Sequence, residues 1–161
     1  MLPKRSKNIF IVEDNELYAM MLDYILTKDS VYRFVSFNSG EECLDNLYLS
    51  PDVVILDYGL PGINGYETLL EIKKRKPSVH VIMLSTHTDP VLATKLLKAG
   101  ADDYVFKKGH GENQITAKIE HLLQKDELER DKQFDKASSA RMFYVIIIIT
   151  LLTFGFAYLT R

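Results

Sequence analysis

Glu13, Asp14, Asp57, Ser85 and Lys107 close four short apolar runs, NIFIVED, DVVILD, VHVIMLS and DYVFK, and as a set they have the chemistry to handle a phosphoryl group. A carboxylate serves as nucleophile or metal ligand, a hydroxyl donates to a phosphoryl oxygen, and a lysine ammonium neutralises that oxygen as a point charge. Three carboxylates gathered in one cleft repel one another and raise each other's pKa unless a cation occupies the space. A hard divalent ion with oxygen ligands, Mg2+, answers that need. With Lys107 added, the formal charges of three acids, ion and lysine sum to zero.

The elements that must position these groups follow from the runs themselves. Each is rich in Val, Ile, Leu or aromatic residues and is followed by turn chemistry and a helical pattern, which reads as a buried parallel strand feeding a helix. The polar groups therefore stand at the carboxyl ends of strands, on the edge where an open α/β sheet holds its ligands. Strand two is YRFVSF, from Tyr32 to Phe37, strand three runs from Asp52 to Asp57, and strand five from Tyr104 to Phe106.

Asn15 caps a first helix whose Leu17, Met20, Met21, Tyr24 and Ile25 form the face expected to cover the sheet. Ser39 and Gly40 open a second helix reaching Leu49. GLPGING is a loop, Tyr66 to Lys76 a third helix, and Asp89 with Pro90 starts a fourth that Gly100 ends. A fifth helix turns Ile115, Ile119, Leu122 and Leu123 inward. Five such units predict a parallel sheet covered on both faces through right-handed crossovers. Strand one between strands two and three would set Asp14 and Asp57 across one crevice, with Glu13 beside them.

The chain has 161 residues and a net charge of -2, room for one ordinary domain and no electrostatic footprint for nucleic acid, so nucleic acid is not expected as a partner. Cys43 reads as a half-buried helix thiol. His80, His87, His110 and His121 do not cluster at metal-ligand spacing and read as surface or half-buried residues.

Beyond a domain of residues 1–125, residues 126–141 form a charged connector, expected to extend the fifth helix and to loosen at Ser138 and Ser139. Met142 to Leu159 then runs without a charge over roughly 27 Å, which predicts a single transmembrane helix. Lys132, Lys136 and Arg141 before it, against Arg161 beyond it, place the domain on the cytoplasmic side of an inner, cytoplasmic membrane. Thr150, Thr153 and Ala157 share one side of the span, through which a homodimer could pack.

Across Lys7 to Lys125 these residues resemble the receiver domain of bacterial two-component response regulators. The resemblance implies a flavodoxin-like, doubly wound five-stranded sheet of order 2-1-3-4-5. It further implies that Asp57 is the phosphoacceptor. Mg2+ would be held by Asp14 and Asp57, by Glu13 largely through water, and by the Gly59 carbonyl. Ser85 and Lys107 would bind the phosphoryl group, and Tyr104 matches the family's switch aromatic. DYGLPGINGYE and KAGADDYVFK match the loops beside these groups. Two positions depart from the pattern: Lys108 stands where a proline joined by a cis bond is common, and Thr86 where a small residue is usual. Neither removes a catalytic group, and a trans bond is expected at Lys108 because a cis non-proline bond costs about 2.5–4 kcal/mol.

The expected function is that of a membrane-anchored receiver that is not an enzyme. It would take a phosphoryl group from a histidine kinase or phosphotransfer protein and signal by binding an output protein. The alternative is a receiver-like scaffold that acts without phosphorylation. A phosphatase is disfavoured, because Gly59 stands where a general acid would be needed.

Overall fold

The computed structural model describes residues 6–27, 32–107 and 111–159, with the side chains of residues 111–113, 140 and 150–159 outside the description. The order of elements is β1 (Asn8–Val12), α1 (Glu16–Thr27), β2 (Arg33–Phe37), α2 (Gly40–Asp45), a 3-10 turn (Leu47–Leu49), β3 (Val53–Asp57), α3 (Gly65–Arg75), β4 (His80–Ser85), α4 (Pro90–Lys98), β5 (Asp103–Phe106) and α5 (Gly111–Leu159). All four strand pairings are parallel and the sheet order is β2-β1-β3-β4-β5, the flavodoxin-like arrangement.

Both faces of the sheet are covered, which is why the central strands read as unbroken apolar runs. Alternation along each strand turns Phe10, Val12, Val54, Leu56, Val81 and Met83 to one face, where they join Cys43, Leu69, Ile72 and Leu96 of α2, α3 and α4 in one core. Ile9, Ile11, Ile55, Ile82 and Leu84 are fully buried on the other parity. They are left to α1 and to Ile115 and Ile119 of α5, which are also buried. Cys43 is fully buried rather than half-buried, and burial pushes its thiol up to about 12.

The caps are local decisions of the sequence. Asn64 accepts from the Glu67 N–H while the Glu67 carboxylate accepts from the Asn64 N–H, a reciprocal capping box that starts α3. Asp89 accepts from the Val91 N–H with Pro90 in the first turn of α4. Gly100 follows with φ +107°, a conformation that favours glycine. The second helix stops at Asp45 and hands over to the 3-10 turn, which Ser50 at φ 54° ends before Pro51.

The face expected of α1 is corrected. Leu22 and Leu26 are the buried residues, whereas Leu17, Met20 and Tyr24 are 79%, 69% and 68% exposed. The phase lies one residue later than read, along Tyr18, Met21, Leu22, Ile25 and Leu26. Both stripes have helical spacing, so apolarity alone does not choose between them. The choice is made by contacts: the Asn15 side chain accepts from the Tyr18 N–H, and the Tyr18 ring lies 4.7 Å from Lys107 Nζ, which turns position 18 toward the sheet edge.

The amino edge of the sheet is tied by ion pairs. Lys7 Nζ lies 3.0 Å from Asp52. Asp102 accepts from Lys73 Nζ at 2.8 Å and from the Val81 N–H at 2.9 Å, and pairs with His80 Nδ1 at 2.7 Å. Burial on its own would raise the Asp102 carboxyl, but the hydrogen bonds from His80, Lys73 and Val81 outweigh it and hold the group well below the usual carboxylate range.

The chain divides into two units, residues 1–121 and 122–161. In the second, α5 runs through Ser138 and Ser139 without the expected loosening, since neighbouring Ala137 is a strong helix former and serine costs little. The expected inner-membrane location and transmembrane helix are corrected as well: among the described residues, no helix is long and apolar enough to cross a membrane. The side chains from Met142 to Ile149 are exposed. Thr150, Thr153 and Ala157, on which the homodimer expectation falls, have side chains outside the description.

Two outcomes are expected. Because the Asp102 carboxyl is depressed in the folded chain, its stabilisation is complete above the unfolded pKa of about 3.9 and is lost as pH falls through the folded value. Asp102→Asn should therefore lower stability by about 1.5–3 kcal/mol at pH 7 in urea unfolding, with the gap to the parent narrowing below pH 4. Cys43 should resist a thiol reagent in the native chain and react on denaturation, whereas fast native labelling would contradict its burial.

Candidate functional site

Register brings the carboxyl ends of β1, β3, β4 and β5 into one row. Val12 pairs with Leu56, Asp57 with Leu84, and Ser85 with Phe106. Residues just past β1 therefore face the end of β3, and Lys107 follows directly on the partner of Ser85. Backbone bonds extend the ladders past the strand ends: the Glu13 N–H donates to the Phe37 carbonyl at 3.0 Å, that of Tyr58 to Leu84 at 2.9 Å, and that of Lys107 to Ser85 at 2.8 Å.

Glu13, Asp14 and Asp57 each offer a carboxylate oxygen within 4.8 Å of the others. Glu13 and Asp57 are buried, at 1% and 6% exposure, and Asp14 is open to solvent. Lys107 Nζ bridges the two buried acids, 2.5 Å from Glu13 and 3.0 Å from Asp57. Burial pushes the Glu13 carboxyl above its ordinary range, the Lys107 hydrogen bond offsets part of that, and the Asp57 charge adds to it. One lysine against three acids leaves the cluster short of positive charge. The set of hard oxygen donors and its one open carboxylate fit a divalent cation such as Mg2+.

The loop after β3 is shaped around Asp57. A Cβ placed at Gly59 would lie 3.6 Å from Asp57 Oδ2, so the Gly59 backbone borders the carboxylate. Gly62 takes φ +74°, and the Ile63 N–H donates to the Glu41 carboxylate at 2.9 Å, which pins the loop to α2 and holds Glu41 below its ordinary range. At Gly65 a Cβ would meet the Asp57 carbonyl oxygen at 2.1 Å and Tyr58 Cα at 2.7 Å, so α3 can start here only on a glycine.

Ser85 is buried at the end of β4, and Tyr104 is half-buried on β5 with its hydroxyl donating to the His87 carbonyl. Every site residue expected from the sequence thus lies on one edge. Glu13, Asp14, Asp57 and Lys107 form its centre, while Ser85 and Tyr104 meet through His87. Sequence reasoning missed Tyr18, which supports Lys107, and His87, which contacts Ser85, Tyr104 and Tyr58. The available signal was position, since each is only two or three residues beyond a residue already singled out. The peptide bond from Lys107 to Lys108 lies outside the described residues.

A doubly wound parallel sheet with an acidic cluster between β1 and β3 places the chain in the α/β class whose sites lie at a topological switch point. Residues 9–120 match the response regulator receiver domain model, and the chain belongs to that family. The transcriptional regulatory protein AfsQ1 of Streptomyces coelicolor is 32% identical over 123 residues, 76% of this chain and 53% of that regulator. The DNA-binding transcriptional activator EvgA of Escherichia coli is 32% identical, covering 70% of this chain and 55% of the activator. The chain spans about half the length of these regulators, and the DNA-binding name of EvgA lends no support to the exclusion of nucleic acid. The chemotaxis protein CheY of Thermotoga maritima is 31% identical over 103 residues, 63% of this chain and 86% of CheY. Among solved structures, the BeF3-activated DrrB receiver domain superposes with a TM-score of 0.68 at 30% identity, covering 74% of this chain and 99% of that one.

Gly65→Ala is expected to lower stability by about 1–3 kcal/mol, because the new methyl meets backbone that cannot yield. Gly59→Ala, whose Cβ makes ordinary contact, should unfold within about 1 kcal/mol of the parent. Equal urea midpoints for Gly65→Ala and the parent would contradict the close approach.

Proposed function

We propose that this chain is a phosphoacceptor receiver in which Asp57 takes a phosphoryl group from a phosphohistidine on a histidine kinase or phosphotransfer protein. An Asp57 carboxylate oxygen attacks phosphorus, the new O–P bond forms as the N–P bond breaks, and the leaving imidazole keeps the electron pair and is protonated. The observation that carries this reading is the convergence on Asp57: two further acids within 4.8 Å, and Lys107 Nζ at 3.0 Å.

Asp14, Asp57 and the Gly59 carbonyl would hold Mg2+ directly, and Glu13 largely through water. The bound ion supplies positive charge for the acids and the phosphoryl oxygens. Lys107, held over the Tyr18 ring, would pair with a phosphoryl oxygen. Ser85 would donate its hydroxyl to another. Tyr104 would report the change to the surface of α4, β5 and α5, and the signal would leave by contact with an output protein. Regulators and a chemotaxis protein among the relatives support a signalling role over an enzymatic one.

The full chain, given acetyl phosphate and Mg2+, should acquire a hydroxylamine-labile phosphoryl group. Asp57→Asn keeps the shape and removes the nucleophile, so labelling should vanish; an Asn variant labelled like the parent would place the acceptor elsewhere. Asp14→Ala should raise the Mg2+ concentration needed for half-maximal labelling at least tenfold, in line with loss of a charged ligand.

A further inference from the structure

We propose that α1 of one copy of this chain docks in the groove between α3 and α4 of a second copy, so that copies associate head to tail. The groove has a volume of about 570 Å³. Tyr66 and Leu70 of α3 form one wall, and Val91, Lys95 and Lys98 of α4 the other. Its apolar surface is open, with Val91 75% and Leu70 43% exposed. Lys95 Nζ stands 4.1 Å from the centre of the Tyr66 ring. Among the described residues no acid lines the groove, and neither Lys95 nor Lys98 forms an ion pair. By contrast, Lys7, Lys73, Lys74, Lys107 and Lys118 each face a carboxylate.

A groove with apolar walls and unpaired ammonium groups fits an amphipathic helix that carries acids. The same chain presents such a helix. Leu17, Met20 and Tyr24 form an exposed apolar stripe on α1, which contains no lysine or arginine. At about 3.6 residues per turn, Glu16 and Asp23 fall together on one flank of that stripe. Both are exposed, and among the described residues neither forms an ion pair. Negative charge thus follows one side of the stripe and positive charge one wall of the groove, so electrostatics selects a single sense of docking. The lengths agree as well: the stripe from Leu17 to Tyr24 rises about 10 Å, and α4 from Pro90 to Lys98 about 12 Å. The two surfaces lie on opposite faces of the sheet, since α3 and α4 pack on a core that contains Leu69, Ile72 and Leu96 and no described residue of α1. A chain therefore cannot fill its own groove, and the contact joins unlike faces. Such a heterologous contact repeats from copy to copy instead of closing as a two-fold dimer. One helix in one groove is a small interface, which belongs to the weak, concentration-dependent class.

The test is cysteine cross-linking between two full-length chains of different tag, one carrying Met20→Cys and the other Val91→Cys, with a short bis-maleimide. Cys43 is fully buried and does not compete. The mixture should give a product that contains both tags, while each variant alone gives little. Lys95→Glu with Lys98→Glu, added to the Val91→Cys chain, should lower the yield about tenfold by setting like charges against α1. Glu16→Lys with Asp23→Lys, added to the Met20→Cys chain, should then restore it, which loss of folding at α4 would not allow. Cross-linking reads which faces meet, so association through other parts of the chain does not imitate this pattern. A Met20→Cys or Val91→Cys sample that links to itself as well as the mixture does would show like faces meeting and overturn the head-to-tail contact. So would a mixed product indifferent to charge reversal. Absence of any mixed product would leave the groove to a different protein, and the proposal would be lost.

Discussion

Electrostatic repulsion among Glu13, Asp14 and Asp57 is the constraint around which this domain is built. Two of the three are buried, where unpaired charge is most costly, and a single ammonium, Lys107 Nζ, stands within 3.0 Å of both. That placement depends on strand register across the sheet. A slip of one residue at β4–β5 would turn every side chain of β5 to the opposite face and shift Lys107 from its place beside Ser85. The long apolar strands and their two-sided burial are therefore as much part of the site as the polar residues they carry.

Support for the lysine comes from an unexpected quarter. Tyr18 offers the face of its ring to the ammonium, and Asn15 fixes Tyr18 by capping the helix it belongs to. The first turn of α1 thus has two tasks, to end the β1 loop and to steady a charge contributed from the far end of the domain. This dual use explains why the stripe Leu17, Met20 and Tyr24 lies outside, although it too is apolar at helical spacing.

Much of the fold was legible because the signals were redundant. Each strand was announced by an apolar run, a turn and a helix start, and the caps at Asp89 and Gly100 agree with the runs they bound. The acidic cluster was legible for the same reason, as residues at equivalent ends of parallel strands have one edge to share. What escaped was decided by contacts distant in sequence or by single atoms. The phase of α1 depends on Lys107, 89 positions from Tyr18 in sequence. The contact of His87 with Ser85 depends on the position of a single ring nitrogen. The apolar run after Arg141 reads in the sequence as a span, yet among the described residues no helix is long and apolar enough to cross a membrane.

The ion pairs on the amino edge have a mechanical consequence. Asp102 fixes the start of β4 through His80 and Val81, and Lys73 ties the same carboxylate to α3. The other end of β4 terminates at Ser85, where a side chain in the adjoining loop holds the hydroxyl. The strand is thus braced at both ends, by one carboxylate where it starts and by the backbone bonds from Tyr58 and Lys107 where it finishes. A strand held along both edges to its last residue keeps Ser85 in fixed register with Asp57 and Lys107.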